Sequence, residues 1–143
     1  MNEISFRFAI SGELQAVKTF DPETPEDVLK FKIEHQLIGL AIEQTKVIGY
    51  LRLDPIWNKI PYIGLIWIQP DYRGKKVGSR FLAWLEKELI LKKHNLLFSS
   101  SQTDEIEPQE WHRKVGFSDC GVIQDINGPG VGELFFSKSL LQD

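Results

Sequence analysis

Residues 73–79 read Arg-Gly-Lys-Lys-Val-Gly-Ser, so three of seven are cations and two are glycines. They follow an apolar run, Tyr62 to Ile68, and lead into a stretch where Val77, Phe81, Leu85 and Leu89 recur at i, i+4. That spacing lays one apolar stripe along a helix, which makes the basic stretch a loop opening a helix N-terminus. Such an end carries four unpaired N–H groups and about half a positive charge. Glycines let a backbone approach a ligand with no Cβ in the way. These residue types suit a diphosphate lying across successive N–H groups. The plain alternative is a solvated basic turn. Cations at a helix start oppose the macrodipole, however, and a purely structural cap would favour Asp or Glu there. The balance tips toward an anion site.

Two common phosphate loops are excluded. No G-x-x-x-x-G-K-[ST] occurs, and Gly74-Lys75 precedes the stretch rather than ending it. G-x-G-x-x-G is also absent. The net charge of −3 argues against a general nucleic-acid binder, so any polyanion must be held by a local cluster. The three histidines, His35, His94 and His112, have no metal-ligand spacing, and no metal is expected. The single cysteine, Cys120, cannot form an internal disulfide and reads as a small core residue. With no secretory signal and no spanning run of about 18 apolar residues, the expected location is cytoplasmic, with no membrane partner.

Positioning such a loop takes a framework. At 143 residues the chain has the size of one domain, taken as 1–143. Ile4 to Ile10 alternates with period two and reads as a strand. Leu14 to Phe20 is weakly helical. Thr24-Pro25-Glu26-Asp27 reads as hydroxyl N-cap, proline at the first helical position and an early carboxylate, opening a helix to about Gln36. Val28, Leu29 and Ile33 are expected to face inward. Leu40 to Leu53 reads as a two-stranded hairpin turning at Gln44-Thr45. Tyr62 to Ile68 is expected to be a central strand buried on both faces. After the amphipathic helix come a strand from Asn95 to Ser101 and a helix from Pro108 to Val115 that Gly116 ends. Two closing strands, Phe117 to Ile126 and Glu133 to Leu140, flank the turn Asn127-Gly128-Pro129-Gly130. The order β-α-α-β-β-β-α-β-α-β-β makes the class α+β with a mixed sheet.

With these elements in place, the chain resembles the GNAT acyltransferase superfamily, which moves an acyl group from acyl-coenzyme A to an amine. The superfamily's pyrophosphate motif, Q/R-x-x-G-x-G/A, is met by Arg73-x-x-Lys76-x-Gly78, within the wording Pro-x-Tyr-Arg-Gly-Lys. Its later signature is met by Trp111-His112-Arg113-Lys114-Val115-Gly116-Phe117, and the hairpin ending Val47 to Leu51 resembles its second and third strands. The likeness runs from about Leu40 onward. It departs at Lys76, where the superfamily usually has glycine, and at His112, where it often has tyrosine.

The resemblance implies a splayed sheet holding acetyl-CoA as co-substrate between its fourth and fifth strands. Backbone N–H groups near Ile66, Trp67 and Ile68 would meet the thioester carbonyl. Those of Arg73, Gly74, Lys75, Lys76, Val77, Gly78 and Ser79 would meet the pyrophosphate. It further implies an N-acetyltransferase acting on a primary amine of a small molecule or peptide; the alternative is an acyl-CoA-binding domain without chemistry. A homodimer is left open. The leaving thiolate has a reference pKa of about 8.5 and needs only modest help from an acid, a role for which His112 is the candidate. Tyr62 stands where relatives often carry a glutamate base, and with a reference pKa near 10 it is a poor base alone. Glu105 or Asp104 could act directly or through water. The acidic runs Asp21-Glu23-Glu26-Asp27 and Asp104-Glu105-Glu107 flank the acceptor side in this fold and would draw a cationic amine.

Overall fold

The computed structural model describes residues 3–141. The elements follow the expected order: β1 (Ile4–Phe8), α1 (Leu14–Phe20), α2 (Glu26–Glu34), β2 (Ile38–Glu43), β3 (Lys46–Leu53), β4 (Ile63–Ile68), a 3-10 turn (Pro70–Tyr72), α3 (Val77–Leu91), β5 (Leu96–Gln102), α4 (Ile106–Lys114), β6 (Ser118–Ile123) and β7 (Glu133–Ser139). The class is α+β. The strands form two sheets, ordered β1-β2-β3-β4 and β5-β7-β6. The chain divides into two compact units, Met1–Asp54 with Leu65–Lys87, and Pro55–Gly64 with Glu88–Asp143.

In the first unit β1 and β3 flank β2 antiparallel, and a bulge lies between Ala41 and Ile42. Apolar side chains of these strands bury against α1 and α2 in a cluster that includes Val17, Leu29, Ile38, Leu40 and Tyr50. Removing such groups from water is the main stabilising term. The stripe on α3 is as expected, with Val77, Phe81, Leu82, Leu85 and Leu89 all buried. Phe81 stacks on Phe6 and Trp84 meets Phe8 at 4.9 Å. That approach needs glycine at position 39, where a Cβ would come 2.9 Å from the Trp84 ring.

Several expectations are corrected here. Pro25, not Thr24, occupies the N-cap of α2, with extended backbone and no side-chain cap. The Thr24 hydroxyl donates instead to Asp21 Oδ1 across 2.7 Å. Val28 and Phe31 of α2 are exposed, while Lys32 is buried, donating to Leu53 O across 2.7 Å and pairing with Asp54 at 2.9 Å. The apolar run of β4 ends its sheet rather than lying at its centre, and only Ile63 in it is buried. Apolar content marks a strand as wanting cover but does not say whether another strand supplies it.

In the second unit β7 pairs antiparallel with both β5 and β6, and β6 bulges between Asp119 and Gly121. Every residue of β6 is exposed, and so is Cys120, which is not a core residue. Trp57 is 79% exposed, in a tight turn where it and Asn58 both have positive φ. Gly116 ends α4 at φ +105. Phe117 N–H donates to His112 O and Gly116 N–H to Arg113 O, the paired bonds that satisfy a helix's last carbonyls and need a left-handed residue between them. One parallel bridge, Tyr62 with Phe98, joins the lead-in of β4 to β5.

Candidate active site

The basic loop is built on the first unit. Tyr72 and Arg73 N–H groups close the 3-10 turn onto Gln69 and Pro70 carbonyls. Arg73 Nε donates back to Ile68 O across 2.8 Å, which ties the loop to the end of β4. Tyr72 donates its hydroxyl to Glu43, and that bond raises the phenol pKa. Gly74 and Lys76 both take left-handed backbone, at φ +76 and +63. Helix α3 then starts at the buried Val77, and the first N–H bonded back into the turn is that of Arg80, to Lys76 O at 3.0 Å.

Six consecutive N–H groups, Gly74 to Ser79, donate to no acceptor among the described residues. No acidic residue lies in the first turn of α3. Arg73 to Lys76 are exposed, while Gly78 and Ser79 are half-buried. Arg80, by contrast, is used within the fold, its guanidinium 5.5 Å over the Phe6 ring. Unpaired donors with unopposed cations favour an anion.

Lys76 departs from the glycine of the resembled motif without altering the backbone that glycine would serve. A left-handed residue costs roughly 1–2 kcal/mol unless it is glycine. The position asks for φ above zero, and here a lysine meets that demand. Ile66, Trp67 and Ile68 lie on β4, half-buried, in the last strand of their sheet.

The remaining candidates lie in the second unit, and they are placed very differently from one another. His112 is 3% exposed. Its Nδ1 lies 2.7 Å from Pro108 O and its Nε2 2.7 Å from Ser99 Oγ. A carbonyl only accepts, so Nδ1 carries the hydrogen; Nε2 of the neutral ring then accepts from the Ser99 hydroxyl. The ring stacks on Phe136 at 4.5 Å. Burial pushes its pKa below the ordinary histidine value, outweighing the Pro108 bond and the charge of Glu133. A neutral ring with both nitrogens engaged has no proton to offer a thiolate, which argues against the expected acid role. Glu105 is the exposed N-cap of α4, with no side-chain cap bond.

Tyr62, Ser100 and Glu133 do converge. In the β5–β7 register Ser100 faces Phe135, so Glu133 is its diagonal neighbour on the same face. Ser100 Oγ donates to Glu133 Oε2 across 2.5 Å, and Tyr62 Oη lies 2.6 Å from Ser100 Oγ. The Tyr62 ring stacks on Phe135 at 5.6 Å. Ser99, Ser100 and Glu133 were not legible as site residues. Their only sequence signal is a serine run in a strand and a carboxylate opening the last strand.

A family model described as the acetyltransferase (GNAT) family matches residues 8–117. The chain belongs to the GNAT acetyltransferase family. No curated protein matches it by sequence. Among solved structures, an aminoglycoside 6'-N-acetyltransferase from Enterococcus faecium is similar with TM-score 0.79 and 15% identity, over 99% of this chain and 98% of that one. The ribosomal-protein-S18-alanine N-acetyltransferase of Escherichia coli is similar with TM-score 0.78 and 12% identity, over 99% and 96%. A Salmonella typhimurium protein assigned as an acetyltransferase, solved with its cofactor acetyl-CoA, has TM-score 0.79 and 16% identity, over 99% and 96%. At such identities the likeness is one of fold. As a GNAT acetyltransferase the chain is an acyl-transfer enzyme. No helix of the described residues is long and apolar enough to cross a membrane. Among those residues no group of three or more His, Cys, Asp or Glu could hold a metal ion.

Proposed function

We propose that this GNAT acetyltransferase transfers an acetyl group from acetyl-CoA to a primary amine of a small molecule or peptide, by direct attack with both substrates bound. The observation that carries the reading is the row of six unpaired N–H groups from Gly74 to Ser79, with cations beside it and no acid in the first turn of α3. On this reading those groups hold the pyrophosphate together with Arg73. N–H groups of Ile66, Trp67 and Ile68 stabilise the charge that grows on the thioester oxygen, the usual role of preorganised donors in acyl transfer. Bound acetyl-CoA supplies the activated acyl carbon. The whole chain acts as one domain, since the matched residues 8–117 draw on both units.

The proton chemistry follows the side chains that are available. His112 becomes a positioning residue that braces β5 through Ser99 and α4 through Pro108. Tyr62, just before β4, is kept in this reading as a candidate to meet the attacking nitrogen. Exposed Glu105 is left to attract a cationic acceptor. A reducing cytoplasm suits an exposed, unpaired Cys120.

Calorimetry with CoA, acetyl-CoA and ATP, followed by thiol release across polyamines, amino acids, aminoglycosides and peptides, tests the reading. CoA should bind more tightly than ATP, and acetyl-CoA should release thiol only with an amine present. Gly78→Glu should raise the Kd for CoA at least tenfold with an unchanged circular dichroism spectrum. Undiminished CoA affinity in that variant would sink the cradle assignment.

A further inference from the structure

We infer that Glu43 and Tyr72 are positioning residues for the coenzyme, because the bond between them holds the loop with the six N–H groups in its binding shape. The inference rests on the acyltransferase reading above. It concerns the pyrophosphate cradle alone, and every residue it uses lies in the first unit.

The loop has little apolar packing to hold it. Arg73 to Lys76 are exposed, and a Cβ at Gly74 would meet nothing within 4 Å. Gly74 and Lys76 both take left-handed backbone, which for a lysine is adverse by itself. On the C-terminal side the anchor is Val77, 2% exposed in the core. On the N-terminal side two polar ties serve instead. Arg73 Nε donates to Ile68 O at the end of β4, and Tyr72 donates its hydroxyl to Glu43.

Glu43 is a firm post for that second tie. It ends β2, where it is paired with Ile4 of β1 and with Lys46 of β3. A carboxylate only accepts, so the phenol is the donor, and its proton is not offered to a phosphate. The same bond is the main cause of the raised Tyr72 pKa, which keeps the phenol protonated and the tie made. Lys75 Nζ lies 5.9 Å from the centroid of the Tyr72 ring, within cation–π reach. The tyrosine thus fixes the turn and seats one of the loop's cations.

Charge separates this role from that of an ordinary surface bond. Glu43 is an anion, bonded to a residue two positions before the first unpaired N–H group. By Coulomb's law alone such a carboxylate opposes a bound diphosphate, so removing it should tighten binding. A positioning residue acts in the other direction. Without the tie the loop must be ordered as the ligand arrives, and that entropy is subtracted from the affinity.

The test is calorimetry of the full chain with CoA. Glu43→Ala and Tyr72→Phe should each raise the Kd about tenfold with unchanged circular dichroism spectra. Glu43→Gln keeps a carbonyl that accepts from the phenol and drops the charge, so its Kd should lie within twofold of the wild type or below it. The double variant Glu43→Ala with Tyr72→Phe should bind no more weakly than the worse single, since both remove one bond. In the free protein, amide order parameters of Gly74 to Lys76 should fall in Tyr72→Phe. Where the wild type binds CoA, an unchanged or lower Kd in Glu43→Ala or Tyr72→Phe overturns the tie and leaves the acyltransferase reading standing. Glu43→Gln binding as weakly as Glu43→Ala, or unchanged order parameters, also overturns it. A wild type that does not bind CoA counts against both.

Discussion

The Ser99 hydroxyl donates to His112 Nε2 across 2.7 Å, and this bond joins the middle of β5 to α4. With Nδ1–H given to Pro108 O, it holds His112 in the neutral Nδ1–H form. Nitrogen-detected spectra should show that tautomer at pH 7. Burial depresses the pKa of His112, and burial followed by the charge of Lys92 depresses that of His94. Both groups therefore bind fewer protons folded than unfolded just below the unfolded value of about 6.5. Their stabilisation is complete above that pH and is lost as pH falls toward the folded values. The unfolding free energy from urea titrations should drop between pH 7 and pH 5, by no more than about 1.4 kcal/mol per pH unit from His112, with a smaller, solvent-screened share from His94. His112→Asn should flatten that slope; a slope unchanged in the variant would count against a buried neutral ring.

Lys76 is where a side chain pays for a glycine's backbone. Relief of the left-handed conformation gains about 1–2 kcal/mol, and the entropy of an added glycine costs about 0.5–1. Lys76→Gly should therefore raise stability by roughly 0.5–1 kcal/mol, and Lys76→Val, β-branched at φ +63, should lower it. Chemical denaturation of the three proteins checks the order. Equal stability of the glycine and valine variants would contradict the left-handed placement.

Asp21 is 5% exposed and accepts from Tyr50, Arg52 and Thr24 at 2.6 to 2.7 Å. Burial alone would raise its pKa, but the bonds from Thr24, Arg52 and Tyr50 hold it below the ordinary carboxylate value. Its contribution is present above the unfolded pKa of about 3.9 and is lost as pH falls through the lower folded one. Asp21→Ala leaves Arg52 half-paired with Asp54 and Tyr50 without its acceptor. A loss of about 3 kcal/mol is expected in urea denaturation, the low end for a broken buried pair. A loss under 1 kcal/mol would mean that the cluster is solvated.

Cys120 should react with Ellman's reagent in the native state at a rate close to that in urea, because it is exposed on a bulged strand. Cys120→Ser should change stability by no more than about 0.5 kcal/mol. Slow native labelling would return the residue to the core.

The sequence by itself determined the order of elements, the stripe Val77-Phe81-Leu85-Leu89 that seats α3, the left-handed stop at Gly116 and the basic loop opening a helix. These are legible because each follows from local chemistry: side-chain period, backbone freedom and the charge of a helix end. It placed Leu29 and Ile33 of α2 correctly and Val28 wrongly, since period alone does not say how wide the covered face is. What only the tertiary structure decided is which polar groups meet. His112 lost its expected proton because Ser99, 13 residues earlier, and Pro108 claimed both nitrogens. Glu133 reached Tyr62 through Ser100 because the register of β7 against β5 put a carboxylate and a hydroxyl, 33 residues apart, on one face. Strand register is set by the pairing of whole strands around a core, and no local spacing encodes it.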